Sequence, residues 1–318
     1  MGGMAYLVFR QLLVMMCIVV VSFLVAKKNH FGEKESHFLS YLLLYVIAPA
    51  MIIDAYNIPY DASKMHYFLI MALFSAGNLG VLILLSLTIG KSKNAEEDRH
   101  KPLDKLGVVY CNAGYIGIPI IQAVMGKDAV FYLMVYILVF NIFMWIHGQY
   151  LMTKSISFRQ IITKPTIIAA IFSILLFITP WKLPYVVGET VHLIGDLNTC
   201  VSMILLGILF ATFEKPKEGE KLPIGSLARL SFLRLIISPL ISIVIFYCFR
   251  GFFAGDEILR MLLLVIVIVA ACPCGVTMSS FAVMYDKNYS YATLAISLTT
   301  ILCVGTVPLF TALAEKLF

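Results

Sequence analysis

The sequence contains little charge. Only 13% of its 318 residues are charged and 61% are hydrophobic, with a mean hydropathy of +0.93. A soluble protein of this size carries far more charge, because its surface must be solvated by water. The composition therefore excludes an ordinary soluble protein and predicts a polytopic membrane protein.

Three further absences narrow the function. The longest polar segment, 91–105, is too short to fold as a soluble domain. Walker A, G-x-S-x-G and H-E-x-x-H motifs are missing, so ATP-driven transport and familiar intramembrane hydrolases lack support. The seven cysteines are odd in number and lie almost entirely in apolar segments, which argues against a disulfide framework. We therefore expect neither an enzyme nor a bound cofactor.

Carboxylates are scarce within the apolar segments. Of the 18 Asp and Glu residues, Glu189 and Glu257 are the first residues of predicted spans, and only Asp54 and Asp196 fall further inside, both near span ends. The usual proton- or sodium-coupling carboxylates are therefore missing from mid-membrane. His192 and Asp196 share a helical face and could titrate together, although an interfacial pair is the simpler interpretation. Arg234 is expected to snorkel to the interface rather than to bind substrate.

Hydropathy predicts ten transmembrane helices, with both termini outside a cell membrane. Segments between alternate spans carry sixteen of the 24 Lys and Arg residues, and the positive-inside rule places these segments in the cytoplasm. The first span is expected to be a retained helix rather than a signal peptide. The net charge of +6 reflects this bias and not a nucleic-acid surface. The spans are 5–26, 38–57, 65–90, 106–125, 129–152, 166–181, 189–212, 227–250, 257–284 and 290–313.

Two of these spans are interrupted by poor helix formers. The fourth contains the run Asn-Ala-Gly-Tyr-Ile-Gly-Ile-Pro at 112–119, and the ninth contains Ala-Cys-Pro-Cys-Gly at 271–275. Glycine and proline cost about 1–3 kcal/mol each in a helix interior, and a bilayer tolerates broken backbone only where it faces protein or water. The two breaks lie at equivalent places in two groups of five spans, and the second group enters the membrane in the opposite direction from the first. This arrangement favours an inverted repeat of five plus five spans, divided as 1–153 and 154–318.

The paired breaks predict an anion site. Asn112 suits a helix N-cap, and Pro273 suits a first helical turn, where its missing N–H has no partner. Both half-helices would direct free N–H groups and positive dipole ends at a common point. The candidate substrate-binding residues are Asn112, Ala113, Gly114, Asn141, Pro273, Cys274 and Gly275, and the candidate crossover residues are Cys111, Gly117, Pro119 and Pro273.

Two motifs allow other interpretations. For Asn141, an interhelical hydrogen bond and pocket lining are equally open. Cys272-Pro273-Cys274 could offer thiolates to Cu(I) or Zn, but no second Cys or His cluster in the sequence supports a metal site. We therefore predict no metal.

Together these residues resemble the auxin efflux carrier family in its short microbial form, over nearly the whole chain. The most specific similarities lie at 112–119, 273–275, 281–282, 285–286 and 297–300, and Pro49 and 205–207 also fit. The resemblance implies crossed broken helices 4 and 9, as in bile-acid/sodium symporter-like folds. It also implies a dimerising scaffold of spans 1, 2, 6 and 7 and a transport domain of spans 3–5 and 8–10, which moves as an elevator.

The resemblance further implies roles for individual residues. Asn112 would coordinate a substrate carboxylate, Pro273 and Gly275 would form the second crossover, and Asn141 stands where plant members carry another amide. Cys111 replaces a proline of the plant carriers, and the third span lacks their charged residues. A malate- or malonate-like anion is therefore expected ahead of an auxin-like one. A sodium-coupled symporter of the same fold and a membrane-embedded receptor or enzyme remain alternatives.

Overall fold

The computed structural model describes residues 3–90, 95–156, 162–212, 223–249 and 255–318, together with residues 159 and 251. Regular structure in these ranges is helical, apart from one isolated bridge between extended residues. The helices are α1 (Met4–Lys28), α2 (Glu33–Tyr56), α3 (Ala62–Leu87), α4 (Ala95–Val109), α5 (Ala113–Thr153), α6 (Pro165–Ile178), α7 (Tyr185–Ala211), α8 (Ile224–Cys248), α9 (Glu257–Ala270), α10 (Thr277–Met284) and α11 (Tyr289–Leu317).

Seven of these helices are long and apolar enough to cross a membrane, namely α1, α2, α3, α5, α7, α8 and α11. The helix α6 is apolar but shorter, at 14 residues. The prediction of an all-α polytopic membrane protein is therefore confirmed. The count of ten spans stays a prediction.

Helix α5 is too long to be one span. Its 41 residues would extend about 60 Å, which is twice the roughly 30 Å of a bilayer's hydrocarbon core. Gly126 interrupts the helix with φ 80° and ψ −173°, a conformation that glycine adopts without steric cost. The helix therefore divides into 113–125 and 127–153, close to the predicted boundary between the fourth and fifth spans.

The start of the fourth span differs from the prediction. Residues 91–105 were expected to form a polar loop, but α4 already begins at Ala95. The Asp104 side chain is fully buried and accepts hydrogen bonds from Arg229 Nη2, at 3.0 Å, and from the Tyr291 hydroxyl. Because α8 and α11 supply these partners, the charged segment packs as a helix instead of remaining a solvated loop.

The helices pack in two sets. In the first set, α1 runs along α7, and α2 contacts both α6 and α7. In the second set, α3 packs on α4 and α5, while α9 contacts α5, α8 and α11. Because α1 also packs on α11 and α5, it joins the two sets.

Gly207 sets the distance between α1 and α7. A Cβ atom at this position would lie 2.5 Å from Ser22 Cβ and 2.6 Å from the Val19 carbonyl oxygen. Such distances are far below van der Waals contact, so any larger residue must push the two helices apart. The close packing of this pair therefore requires glycine.

We expect Gly207→Ala to lower the free energy of unfolding by about 1–3 kcal/mol, the usual effect of overpacking. Gly77 in α3 is the matched control, because an added Cβ there meets nothing within 4 Å. Gly77→Ala should be neutral or stabilise the helix by up to about 1 kcal/mol. Thermal unfolding in a single detergent measures both variants. A Gly207→Ala midpoint equal to that of the wild type would contradict the close contact.

Candidate functional site

The two predicted interruptions are present and lie against each other. Residues 110–112 separate α4 from α5, and residues 271–276 separate α9 from α10. Cys111 in the first segment and Cys274 in the second form an antiparallel bridge. The structure therefore brings candidate residues from distant parts of the chain to one point.

Two backbone hydrogen bonds hold this crossing. The Asn112 N–H donates to the Pro273 carbonyl at 2.8 Å, and the Gly275 N–H donates to the Tyr110 carbonyl at 3.1 Å. A Cβ on Gly275 would lie 2.9 Å from the Cys111 carbonyl oxygen. Glycine at 275 therefore permits the close approach of the two chain segments.

The sequence predicted Pro273 in the first turn of a helix, but the structure does not place it there. The helix α10 begins only at Thr277. The Pro273 carbonyl and the Gly275 N–H are both bonded to the opposite segment, and the Cys274 N–H donates to Thr299 Oγ1 at 3.2 Å. These bonds keep the chain extended through the proline and postpone the start of the helix.

Asn112 lies immediately before α5, as predicted for an N-cap. Its carbonyl accepts the N–H groups of Ile116 and Gly117, both at 3.1 Å. Its side chain makes no capping hydrogen bond and is only 3% exposed. Among the described atoms, Asn112 Nδ2 has no hydrogen-bond partner. A buried amide donor is thus available for a ligand at the crossing.

Arg234 does not snorkel to the interface. It lies in a π-helical turn of α8 and is fully buried. Its Nε donates to the Cys272 carbonyl at 2.9 Å, its Nη1 to Val108 at 2.9 Å and its Nη2 to Ala270 at 2.5 Å. These carbonyls belong to the last turns of α4 and α9 and to the segment after α9. The guanidinium therefore bonds the carbonyl ends of both helices at the crossing.

The charge of Arg234 complements the helix polarity. The last carbonyls of a helix lack intrahelical donors and carry a partial negative charge. Because the C-terminal ends of α4 and α9 converge on one guanidinium, their partial charges are neutralised within the protein. Among the described residues, the N-terminal ends of α5 and α10 have neither a side-chain cap nor an acidic residue in the first turn. Sequence reasoning missed this role, although a charged residue inside a span is itself a recognised signal of function.

A further amide adjoins the crossing from the first helix set. Asn198 in α7 donates through Nδ2 to the Gly114 carbonyl at 2.9 Å. The Asn198 side chain is buried, and its Oδ1 has no partner among the described atoms. This contact joins α7 to the first turn of α5. Asn198 was not predicted, because its importance depends on a neighbour 84 residues away.

Asn141 is hydrogen-bonded within its own helix, where its Nδ2 donates to the Ile137 carbonyl at 2.8 Å. The nearby Phe143 carbonyl accepts the Tyr110 hydroxyl at 2.8 Å. Asn141 therefore lies on the stretch of α5 that packs near the first interruption, while its amide satisfies a carbonyl of the preceding turn. Its predicted binding role stays a prediction.

Cavities of unequal size adjoin the two interrupted helices. One of about 310 Å³ lies between α2, α5 and α7, and its lining includes Asp54, Ile118, Gln122, Lys127, His192 and Asn198. The other has about 30 Å³, and its lining includes Ser40, Leu44, Tyr115, Trp145, Thr277 and Ser280. The wide cavity thus lies beside α5, and the narrow one lies at the start of α10.

Charged side chains line or adjoin both cavities. In the wide cavity, His192 Nδ1 lies 2.9 Å from Asp54 Oδ2, and Nε2 lies 3.6 Å from Asp196 Oδ2. Beside the narrow cavity, the Lys164 ammonium lies 3.9 Å from the centroid of the Trp145 ring. Burial lowers the pKa of Lys164. The His192–Asp196 pair is therefore part of a three-residue cluster that also joins α2 to α7.

We expect Arg234→Met to reduce the folded yield and the thermal stability severely. The variant leaves several buried carbonyls without donors, each at a cost of about 1–3 kcal/mol. Arg260→Met, at an exposed arginine of α9, is the matched control and should behave like the wild type. Size-exclusion profiles after heating measure both. A wild-type unfolding midpoint for Arg234→Met would contradict the proposed capping of α4 and α9.

One family model matches both halves of the sequence. Residues 7–161 and residues 151–311 each match the model described as Membrane transport protein. No curated protein matches the chain. The paired matches extend over nearly the whole sequence and suggest an internal repeat.

Proposed function

The chain belongs to the membrane transport protein family, the auxin efflux carriers, and we propose that it is a secondary transporter of small organic carboxylate anions. The observation that carries this proposal is the meeting of two interrupted helices at Cys111 and Cys274. The helices α5 and α10 begin just after these interruptions, and the first N–H groups of a helix lack intrahelical acceptors. Such helix ends bind carboxylates and phosphates.

Asn112 is proposed to hold the substrate carboxylate. Its buried Nδ2 has no partner among the described atoms, and it stands next to the N–H groups of Ala113 and Gly114. The N–H groups of Cys274 and Gly275 are already bonded within the protein. We therefore assign these two residues to the crossing itself. The N–H groups of Met278 and Ser279 in the first turn of α10 are also bonded, to the Gly275 and Val276 carbonyls, so we propose that α10 contributes its positive dipole end to the substrate site.

We propose that the chain folds as ten spans in two inverted five-helix repeats, 1–153 and 154–318. Gly126 divides α5 into two parts. If α4 and 113–125 form one span, and α9 and α10 form another, there are five spans before α6 and five from α6 onward. The two matches to a single family model support this division. The breaks then fall in the fourth and ninth spans.

We propose an elevator mechanism, in which α1, α2, α6 and α7 form the scaffold and the other helices move. The two packing sets support this division. In the proposed cycle, the cavity of about 310 Å³ is the open access route. The cavity of about 30 Å³ is the closed route on the other side of the crossing. A homodimer formed through the scaffold, with both termini outside, completes the proposal.

Asn112→Ala should abolish transport while leaving expression and thermal stability close to those of the wild type, because the lost Nδ2 has no hydrogen-bond partner among the described atoms. Asn112→Asp keeps the shape but replaces the donor with a negative charge, so it should also abolish anion transport. Asn29→Ala, at an exposed residue after α1, serves as the control. Uptake into proteoliposomes measures activity. Equal loss of folding in both Asn112 variants would assign a structural role to Asn112 instead.

Uptake of a radiolabelled dicarboxylate into proteoliposomes should respond to an imposed membrane potential, because the substrate carries net charge. Malate and malonate are the first substrates to compare, with an indole carboxylate as the third. Flux that requires a sodium gradient would identify a sodium-coupled symporter. Ligand binding without flux for every carboxylate would favour a receptor and contradict the transport proposal.

A further inference from the structure

A separate polar cavity of about 400 Å³ lies where four helix ends meet. These are the end of α1, the start of α2, the end of α7 and the start of α11. The cavity therefore contacts both helix sets. Its lining includes Lys27, His30, Glu33, Thr212, Ser290 and Thr293, none of which belongs to the site at the crossing.

Thr293 is the most informative residue of this cavity. Its side chain is 2% exposed, and its Oγ1 has no hydrogen-bond partner among the described atoms. Buried hydroxyl groups in proteins are nearly always hydrogen-bonded. Thr293 also lies in the first turns of α11, whose positive dipole end favours an anionic ligand, although the Asn288 side chain caps the Tyr291 N–H. The unpaired hydroxyl and the helix start point to the same ligand.

Charges of both signs line the cavity. Lys27 and His30 are cationic or protonatable, and Glu33 is anionic. None of them takes part in the ion pairs found among the described residues. The neighbouring Glu35 is engaged instead, since its carboxylate accepts the Gly32 N–H at 2.7 Å. The cavity thus offers a cationic and an anionic group that have no ion-pair partner there.

We propose that this cavity binds a phosphoethanolamine group. The phosphate would contact Lys27, His30, the Thr293 hydroxyl and the start of α11, and the ammonium would contact Glu33. A purely anionic group would leave Glu33 repelling the ligand, whereas a zwitterion uses both signs. The group could come from a phosphatidylethanolamine headgroup or from free phosphoethanolamine. In either case the ligand bridges the two helix sets.

Native mass spectrometry of the delipidated full-length protein tests this site. We expect the wild type to retain phosphatidylethanolamine in preference to phosphatidylglycerol. Thr293→Val and Lys27→Gln should each weaken phosphatidylethanolamine binding by about tenfold, as loss of one hydrogen bond to a charged group does. Lys28→Gln should leave binding unchanged, because Lys28 is a neighbouring exposed lysine that does not line the cavity. Glu33→Gln should abolish the preference for phosphatidylethanolamine.

A competition experiment with free phosphoethanolamine at millimolar concentration distinguishes the two sources. Displacement of the bound lipid shows that the headgroup alone suffices for binding. Retention of the lipid shows that the acyl chains contribute, and both results support the site. Equal binding of the two lipids by the wild type would overturn the proposal. Unchanged binding in both Thr293→Val and Lys27→Gln would overturn it as well. Thr293→Val nearly preserves side-chain shape, so this variant tests the site even where Lys27→Gln folds poorly. The readout is independent of transport.

Discussion

The structure depends on how backbone groups are satisfied where two helices are interrupted inside an apolar protein. Broken backbone that faced lipid would leave N–H and C=O groups unpaired, which is very costly there. Here each interruption supplies partners for the other, through the Asn112–Pro273 and Gly275–Tyr110 hydrogen bonds. Arg234 bonds the carbonyls of Val108 and Ala270 at the ends of α4 and α9 and that of Cys272 just after α9. Neither interruption would be stable without the other.

The same arrangement gives the crossing its electrostatic polarity. Four helix ends meet there, two with partial negative charge and two with partial positive charge. Arg234 neutralises the negative ends from within the protein, and it is too deeply buried to be replaced by an external cation. In our proposal, the positive ends of α5 and α10 bind the external ligand. This asymmetry explains why the proposed substrate is an anion even though the chain carries a buried positive charge nearby.

Sequence reasoning located the apolar helices and both interruptions, because hydropathy, glycine and proline act locally. It failed where a residue's partner is remote in sequence. Asp104 appeared to lie in a polar loop, but it is buried by Arg229 and Tyr291. Arg234 appeared to be an interfacial cation, but its acceptors lie in two other helices. Pro273 appeared to start a helix, but hydrogen bonds to the opposite segment keep it extended. In each case the deciding interaction joins different parts of the chain, so the local pattern did not identify the partner.

In the proposed cycle, the two cavities of unequal size are the features that transport must change. Asn198 in α7 bonds the Gly114 carbonyl beside the wide cavity, whereas the narrow cavity, whose lining includes Leu44 of α2 and Thr277 of α10, has a volume of only about 30 Å³. In the proposed elevator, α5 and α10 slide as one body because their interruptions are hydrogen-bonded to each other. Such a movement would break the contact between Asn198 and Gly114 and open the space beside Leu44. The crossing would then carry its ligand past a fixed pair of helices without any change in its own hydrogen bonds.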